Sequence, residues 1–150
     1  MSCFAFDGVR RLVASVTLAL SAITLAAGPV AAADNDPRIV AAPTECNAGL
    51  LSTVRIVQPF VYGNRSTPET IYWYPVLQRW TGSTWLYEDA PPTWIRFSAT
   101  NQGSLDMFAD PRNFVFTPKY RNAYYRIFNV IYWGSTGESG NKASAWCFLQ

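Results

Sequence analysis

The chain has 150 residues, with 12 Lys plus Arg, 10 Asp plus Glu and no His, for a formal charge of +2; that length suits one domain with a real core. Without His the chain lacks the commonest general base, the usual zinc ligand and every Ser-His or Cys-His nucleophile arrangement. Its arginines, from Arg55 to Arg126, are spaced among apolar residues rather than gathered into a basic patch, so nucleic acid is not an expected partner.

Residues 1–33 have the three parts of a secretory signal peptide. Arg10 and Arg11 form a short basic region, an uncharged apolar run follows from Leu12, and Ala31, Ala32 and Ala33 form a small-residue cleavage site. The expected cut lies between Ala33 and Asp34, which makes the protein secreted and leaves no stable membrane insertion. The uncharged stretch 12–33 is also long enough to cross a bilayer; Gly28, Pro29 and the alanine-rich end favour cleavage over an anchor. Loss of Asp7, Arg10 and Arg11 with the leader lowers the net charge from +2 to +1. Cys3 leaves as well, and Cys46 and Cys147 remain as one pair in an oxidising compartment. They are expected to form a disulfide that closes nearly the whole mature domain.

Residues 34–45 read as an N-terminal arm: Pro37 and Pro43 prevent a helix, and no core residue is expected there. The folded domain is assigned to 46–150. From 50 to 62 the chain alternates, with Val54 and Ile56 on one face and Arg55 and Val57 on the other, until Pro59 interrupts the ladder. Asn64, Arg65 and Ser66 fit a glycosylation acceptor in form and are read as ordinary turn residues.

Residues 70–80 form the second strong strand, with Ile71, Trp73 and Leu77 on one face and Tyr72, Tyr74, Gln78 and Trp80 on the other. Pro75 in its middle requires one flank to be unpaired or bulged. Thr81, Gly82, Ser83 and Thr84 form a hairpin turn across which Trp80 and Trp85 should lean together. Residues 88–92 are a loop, 94–97 a short strand, and 101–110 a polar connection with at most one helical turn near 104–109. Residues 113–117 are a strand ended by Pro118.

The run 123–133 is the centre of the fold, since most of its residues are aromatic or β-branched and it contains neither Gly nor Pro. A flexible Gly/Ser turn, 135–141, and a closing strand, 143–149, complete the chain. The spacing predicts an all-β domain of about seven antiparallel strands in a sandwich or small barrel.

Trp73 on an early strand, the pair Tyr124 and Tyr125 opening a late one, and a single-disulfide exported domain of this size resemble the immunoglobulin and fibronectin-III family of sandwiches. They also look like small aromatic-rich exported proteins of actinobacteria. The resemblance covers roughly 54–148 and implies a single immunoglobulin-like β-sandwich. Its departure is the disulfide, which joins a residue ahead of the first strong strand to the last strand, whereas antibody domains join two interior strands. It carries no activity over to this chain.

Both faces of the two strongest strands are apolar or aromatic, although a sandwich strand needs only one such face. With Ile71, Trp73, Leu77, Ile127, Ile131 and Trp133 inward, the residues Tyr72, Tyr74, Trp80, Tyr124, Arg126 and Tyr132 point outward as a candidate ligand face. Tyr and Trp present large area at low entropic cost and keep a polar edge, which suits a glycan or a protein. The competing reading is that these rings extend the core under loops or arginine stems. Glu88, Asp89, Asp106 and Asp110 are the carboxylates a glycosidase would need; they read as loop solvation, and Asp106 with Asp110 lacks the further ligands of a calcium loop. No catalytic residue, metal or cofactor is assigned. The expected function is a secreted, non-catalytic binding or adhesion module for an extracellular glycan or protein. A self-associating structural protein of the cell exterior is second, and a small secreted enzyme or enzyme inhibitor third.

Overall fold

The computed structural model describes residues 35–105 and 112–150. The leader and most of the expected helical turn at 104–109 lie outside the described residues; Ser104 belongs to a strand. Twelve strands and no helix occur among the described residues.

The fold is built on two long neighbours. Strand β5 (Glu69–Trp80) and β10 (Ala123–Trp133) pair antiparallel from Tyr125↔Arg79 to Trp133↔Ile71. Each has its second flank filled by two short strands placed end to end. Beside β5 run β7 (Ile95–Thr100), which pairs with residues 69–73, and β6 (Trp85–Asp89), which pairs with 77–80. Residues 74–76 face the gap between them. Pro75 sits in that gap, where its missing N–H costs no ladder bond on that flank. Beside β10 run β11 (Ser139–Ala143) and β12 (Cys147–Leu149). The β8 strand (Gly103–Ser104) joins the outer side of β7 and completes a seven-stranded sheet.

Ile127 falls between the residues of β10 that pair with β12 and those that pair with β11. Its N–H donates to Ser144 Oγ at 2.9 Å and to Thr44 Oγ1 at 3.3 Å, while the Ser144 N–H returns to the Ile127 carbonyl at 2.8 Å. The Thr44 and Ser144 hydroxyls bond each other. Side-chain hydroxyls therefore replace the missing ladder strand and leave no buried backbone group orphaned there.

A three-stranded sheet holds β2 (Glu45–Asn47), β3 (Thr53–Val57) and β9 (Asn113–Phe116), and a two-stranded one holds β1 (Ile39–Val40) and β4 (Phe60–Val61). All three sheets contribute to one core: Val54, Ile56 and Phe116 from the second, Ile39 and Val61 from the third, and Ile71, Trp73, Leu77, Ile127, Ile131 and Trp133 from the first. Those last six are fully buried, as the two-residue period requires. Cys46 on β2 and Cys147 on β12 form a disulfide across 101 residues, joining the three-stranded sheet to the seven-stranded one.

Two expectations are corrected. The arm does carry a core residue: Ile39 is fully buried, and the segment is tied down by the Asn35↔Lys142 bridge and by the bond from Asp36 N to the Asn141 carbonyl at 3.1 Å. The span read as a flexible turn, 135–141, holds the first three residues of β11, because the edge of β10 supplies backbone partners that outweigh the low strand propensity of Ser139, Gly140 and Asn141. The strand count exceeds seven for the same kind of reason, since β1, β2, β4, β8 and β11 are short pieces held by their neighbours.

Candidate functional site

On the solvent side of the β5–β10 pair the outward positions are Tyr72, Tyr74, Val76, Gln78 and Trp80 on one strand and Tyr124, Arg126, Phe128, Val130 and Tyr132 on the other. All six residues of the expected ligand face lie here, and none is fully buried. They do not form one coplanar row. The rings gather at the two ends of the strip, in two open hollows.

The larger hollow, of about 380 Å³, is lined by Trp80, Trp85, Tyr124, Arg126, Ser144 and Trp146. Its first wall is the hairpin pair Trp80 and Trp85, with ring centroids 5.3 Å apart and a 50° tilt. Thr81 N bonds the Thr84 carbonyl at 3.0 Å and Gly82 takes φ +97°, which closes the turn so that both indoles fall on one face. Its second wall is Tyr124, set edge-on to Trp146 at 5.0 Å and 88° and tilted against Phe148 at 4.8 Å. Edge contacts of this kind suit the ring quadrupoles. Arg126 forms the floor. Its guanidinium lies 4.5 Å from the Trp85 ring centroid, and its Nε donates to Gln78 Oε1 at 2.8 Å. A cation held by both a ring and an amide is restricted in its rotamers before any ligand arrives.

The smaller hollow, of about 320 Å³, is lined by Tyr72, Trp94 and Tyr132 and is almost wholly apolar. Tyr72 and Tyr132 are direct cross-strand partners with centroids 5.8 Å apart. Tyr74 meets Trp94 at 5.2 Å. Between the hollows the strip is filled by Val76, Phe128 and Val130.

The structure thus brings Trp80, Tyr124 and Arg126 together in one hollow and Tyr72 and Tyr132 in the other, with Tyr74 beside the second. Sequence reasoning missed Trp94 and Trp146 and assigned Trp85 only a structural role. Trp146 is 61% exposed, high for so large a ring, and it directly precedes Cys147, whose disulfide fixes the local chain.

Two of the four carboxylates have partners within the fold. Glu88 is bound by Arg79 Nε, and Asp89 Oδ1 accepts the Ala90 N–H at 2.8 Å. Asp106 and Asp110 lie outside the described residues. No cluster of three His, Cys, Asp or Glu side chains occurs among the described residues. Asn64, of the glycosylation-like triplet, spends its amide within the fold: Oδ1 accepts from Arg38 Nη1 at 3.0 Å and Nδ2 donates to Thr136 Oγ1 at 3.2 Å.

No protein-family model matches this chain, and no curated protein is detectably similar to it.

Proposed function

We propose that this protein is an exported, non-catalytic binding module that takes a carbohydrate on the aromatic face of β5 and β10. The observation that carries the reading is the larger hollow, where the rings of Trp80, Trp85, Tyr124 and Trp146 share the lining with Arg126 and Ser144. A pyranose has apolar C–H faces and a rim of hydroxyls. Indole and phenol rings suit the first, and the Arg126 guanidinium offers donors to the second. Export is supported by the leader pattern of 1–33 and by the disulfide.

The immunoglobulin-like reading of the fold draws support from one contact. Tyr125, near the start of β10, donates its hydroxyl to the Tyr120 carbonyl at 2.9 Å, the pattern of a tyrosine corner. The shared core of the seven-stranded and three-stranded sheets supports a sandwich arrangement.

The test is a tryptophan-fluorescence titration of the protein against cell-wall and plant polysaccharides, in parallel with Trp146→Ala and Arg126→Gln variants whose near-ultraviolet circular dichroism is unchanged outside the lost ring. Saturable quenching by at least one polysaccharide, weakened tenfold or more in both variants, is the expected result. No response to any polysaccharide would overturn the reading. A second reading, self-association, is favoured by β6, which among the described residues pairs with β5 alone and exposes Leu86 and Tyr87. Sedimentation equilibrium showing a concentration-dependent dimer, lost on Tyr87→Lys, would establish it.

A further inference from the structure

The turn between β2 and β3 ends in two exposed leucines. Leu50 is fully exposed, at 104%, and Leu51 is 78% exposed. The turn itself does not need them: the Gly49 N–H bonds Asn47 Oδ1 at 3.1 Å, and the leucine side chains are absent from the core. Two adjacent leucines held in water at the tip of a loop are a standing cost unless something covers them.

Basic residues stand beside the turn and at the same end of the β3–β9 pair. Arg121 Nη2 donates to the Gly49 carbonyl at 3.4 Å, which puts a guanidinium against the base of the turn. Val54 pairs with Phe116 at the last rung between β3 and β9. Leu51 lies three residues before that rung and Lys119 three residues after it, so Lys119 reaches the same end of the molecule. Lys119 and Arg121 are exposed. Tyr120 between them is half exposed, with the Arg79 guanidinium 4.3 Å from its ring centroid. Neither 46–54 nor 112–122 contains an acidic residue.

The geometry points to an anionic lipid surface as the partner of this end, with Leu50 and Leu51 entering the interface while Lys119 and Arg121 meet the headgroup phosphates. Shape and charge both choose lipid over protein. A convex tip of two side chains supplies far less than the roughly 800 Å² per partner of a stable protein interface. A bilayer desolvates such a tip without needing a matching socket, and flanking cations add attraction to anionic lipid. An aromatic ring beside the cations suits the headgroup level, where amphipathic rings collect. Contact of this depth lies on a membrane and does not span it. Leu50, Leu51, Lys119 and Arg121 line neither aromatic hollow, so this inference does not rest on carbohydrate binding.

The test uses the full chain, exported with its own leader, in flotation with vesicles of phosphatidylcholine alone and with added phosphatidylglycerol. Co-flotation is expected only with the anionic lipid and should weaken as salt rises. Leu50→Ser with Leu51→Ser should reduce it at least tenfold, and Lys119→Gln with Arg121→Gln several-fold, while all variants keep the wild-type circular dichroism. Hydrogen exchange gives a readout that does not depend on the state of the leader. Amides of 48–52 and 117–121 should slow on anionic vesicles, and slow less in the leucine variant. Failure of the wild-type protein to show that protection, or equal protection in the leucine variant, would overturn the proposal. Polysaccharide titration of the same variant keeps the two readings apart, because its response should be unchanged.

Discussion

Trp73 and Asn129 meet inside the core, where the indole Nε1 donates to the asparagine Oδ1 at 2.9 Å and the asparagine Nδ2 continues to the Lys142 carbonyl at 3.1 Å. Both residues are fully buried. Trp73 pairs with Ile131, so Asn129 is its diagonal neighbour on the inner face, and the two bonds link β5, β10 and β11. Asn129→Ala leaves a buried indole N–H without its partner and opens a small cavity. It should cost about 2–4 kcal/mol in urea unfolding. In combination with Trp73→Phe the two costs should fall short of their sum by about 1 kcal/mol. Strict additivity would show that the bond contributes nothing of its own.

The inner face was legible because a strand repeats every two residues. Once the run 123–133 was read as a strand, Ile127, Ile131 and Trp133 had to share one side and Tyr124, Arg126 and Tyr132 the other, and the structure keeps that division. The same period separated Trp73 from Tyr72 and Tyr74. What period cannot supply is the direction of a ring on a short element. Trp94 stands just before β7 and Trp146 just before β12, and each reaches its hollow through the placement of a turn. Strand β11 was illegible because Ser139, Gly140 and Asn141 carry no strand propensity, and their conformation comes from the edge of β10. Ile39 had a readable signal: Ile39 and Val40 are an adjacent β-branched pair between Pro37 and Pro43.

The disulfide joins β2 to β12, and so ties together two sheets whose remaining link is largely side-chain packing. Closing a loop of about 100 residues removes unfolded-state entropy equivalent to about 4.7 kcal/mol in the chain-entropy model, and removal of a native bridge typically costs about 2–5 kcal/mol. Cys46→Ser with Cys147→Ser should therefore lower stability by about 3 kcal/mol in guanidinium unfolding. Wild-type protein held in reductant should show a similar loss. A change below about 1 kcal/mol would mean that the sheets are held without the bridge.

Acid should loosen the N-terminal arm. The Asp36 carboxylate accepts the Arg38 guanidinium at 2.8 Å and the Arg38 backbone N–H at 2.9 Å, and the side-chain bond to Arg38 is the main cause that lowers its pKa below 3.8. Arg38 also pairs with Glu138 at 2.8 Å and lies 3.9 Å from the Trp133 ring centroid, so the arm is clamped to the end of β10. A depressed folded-state pKa means that the unfolded chain binds the proton more readily. The contribution is present above the unfolded value and disappears as pH falls through the folded one. The melting temperature of the wild type should fall more steeply below about pH 4 than that of Asp36→Asn, which should be less stable at neutral pH. Parallel pH profiles for the two would show that the carboxylate charge does not hold the arm.

Among the described glycines, Gly103 is the one where an added Cβ would meet its nearest neighbour at the shortest distance. It takes φ +123° in β8, and a Cβ there would lie 1.9 Å from the Phe60 ring. Phe60 cannot simply swing clear, since it sits edge-on to Tyr62 at 5.1 Å, and β8 is itself bound to β4 by the Val61 N–H, which donates to Ser104 Oγ at 2.8 Å. Gly103→Ala therefore combines a disfavoured backbone angle, of about 1–2 kcal/mol, with overlap costing about 1–3 kcal/mol. A total near 3 kcal/mol is expected in urea unfolding. The two contributions separate in a Phe60→Ala background, where the ring is gone and only the backbone part should remain, so Gly103→Ala should then cost about 1–2 kcal/mol. If the glycine substitution cost the same in both backgrounds, the close approach of Phe60 would not be what requires glycine, and the positive φ alone would account for it.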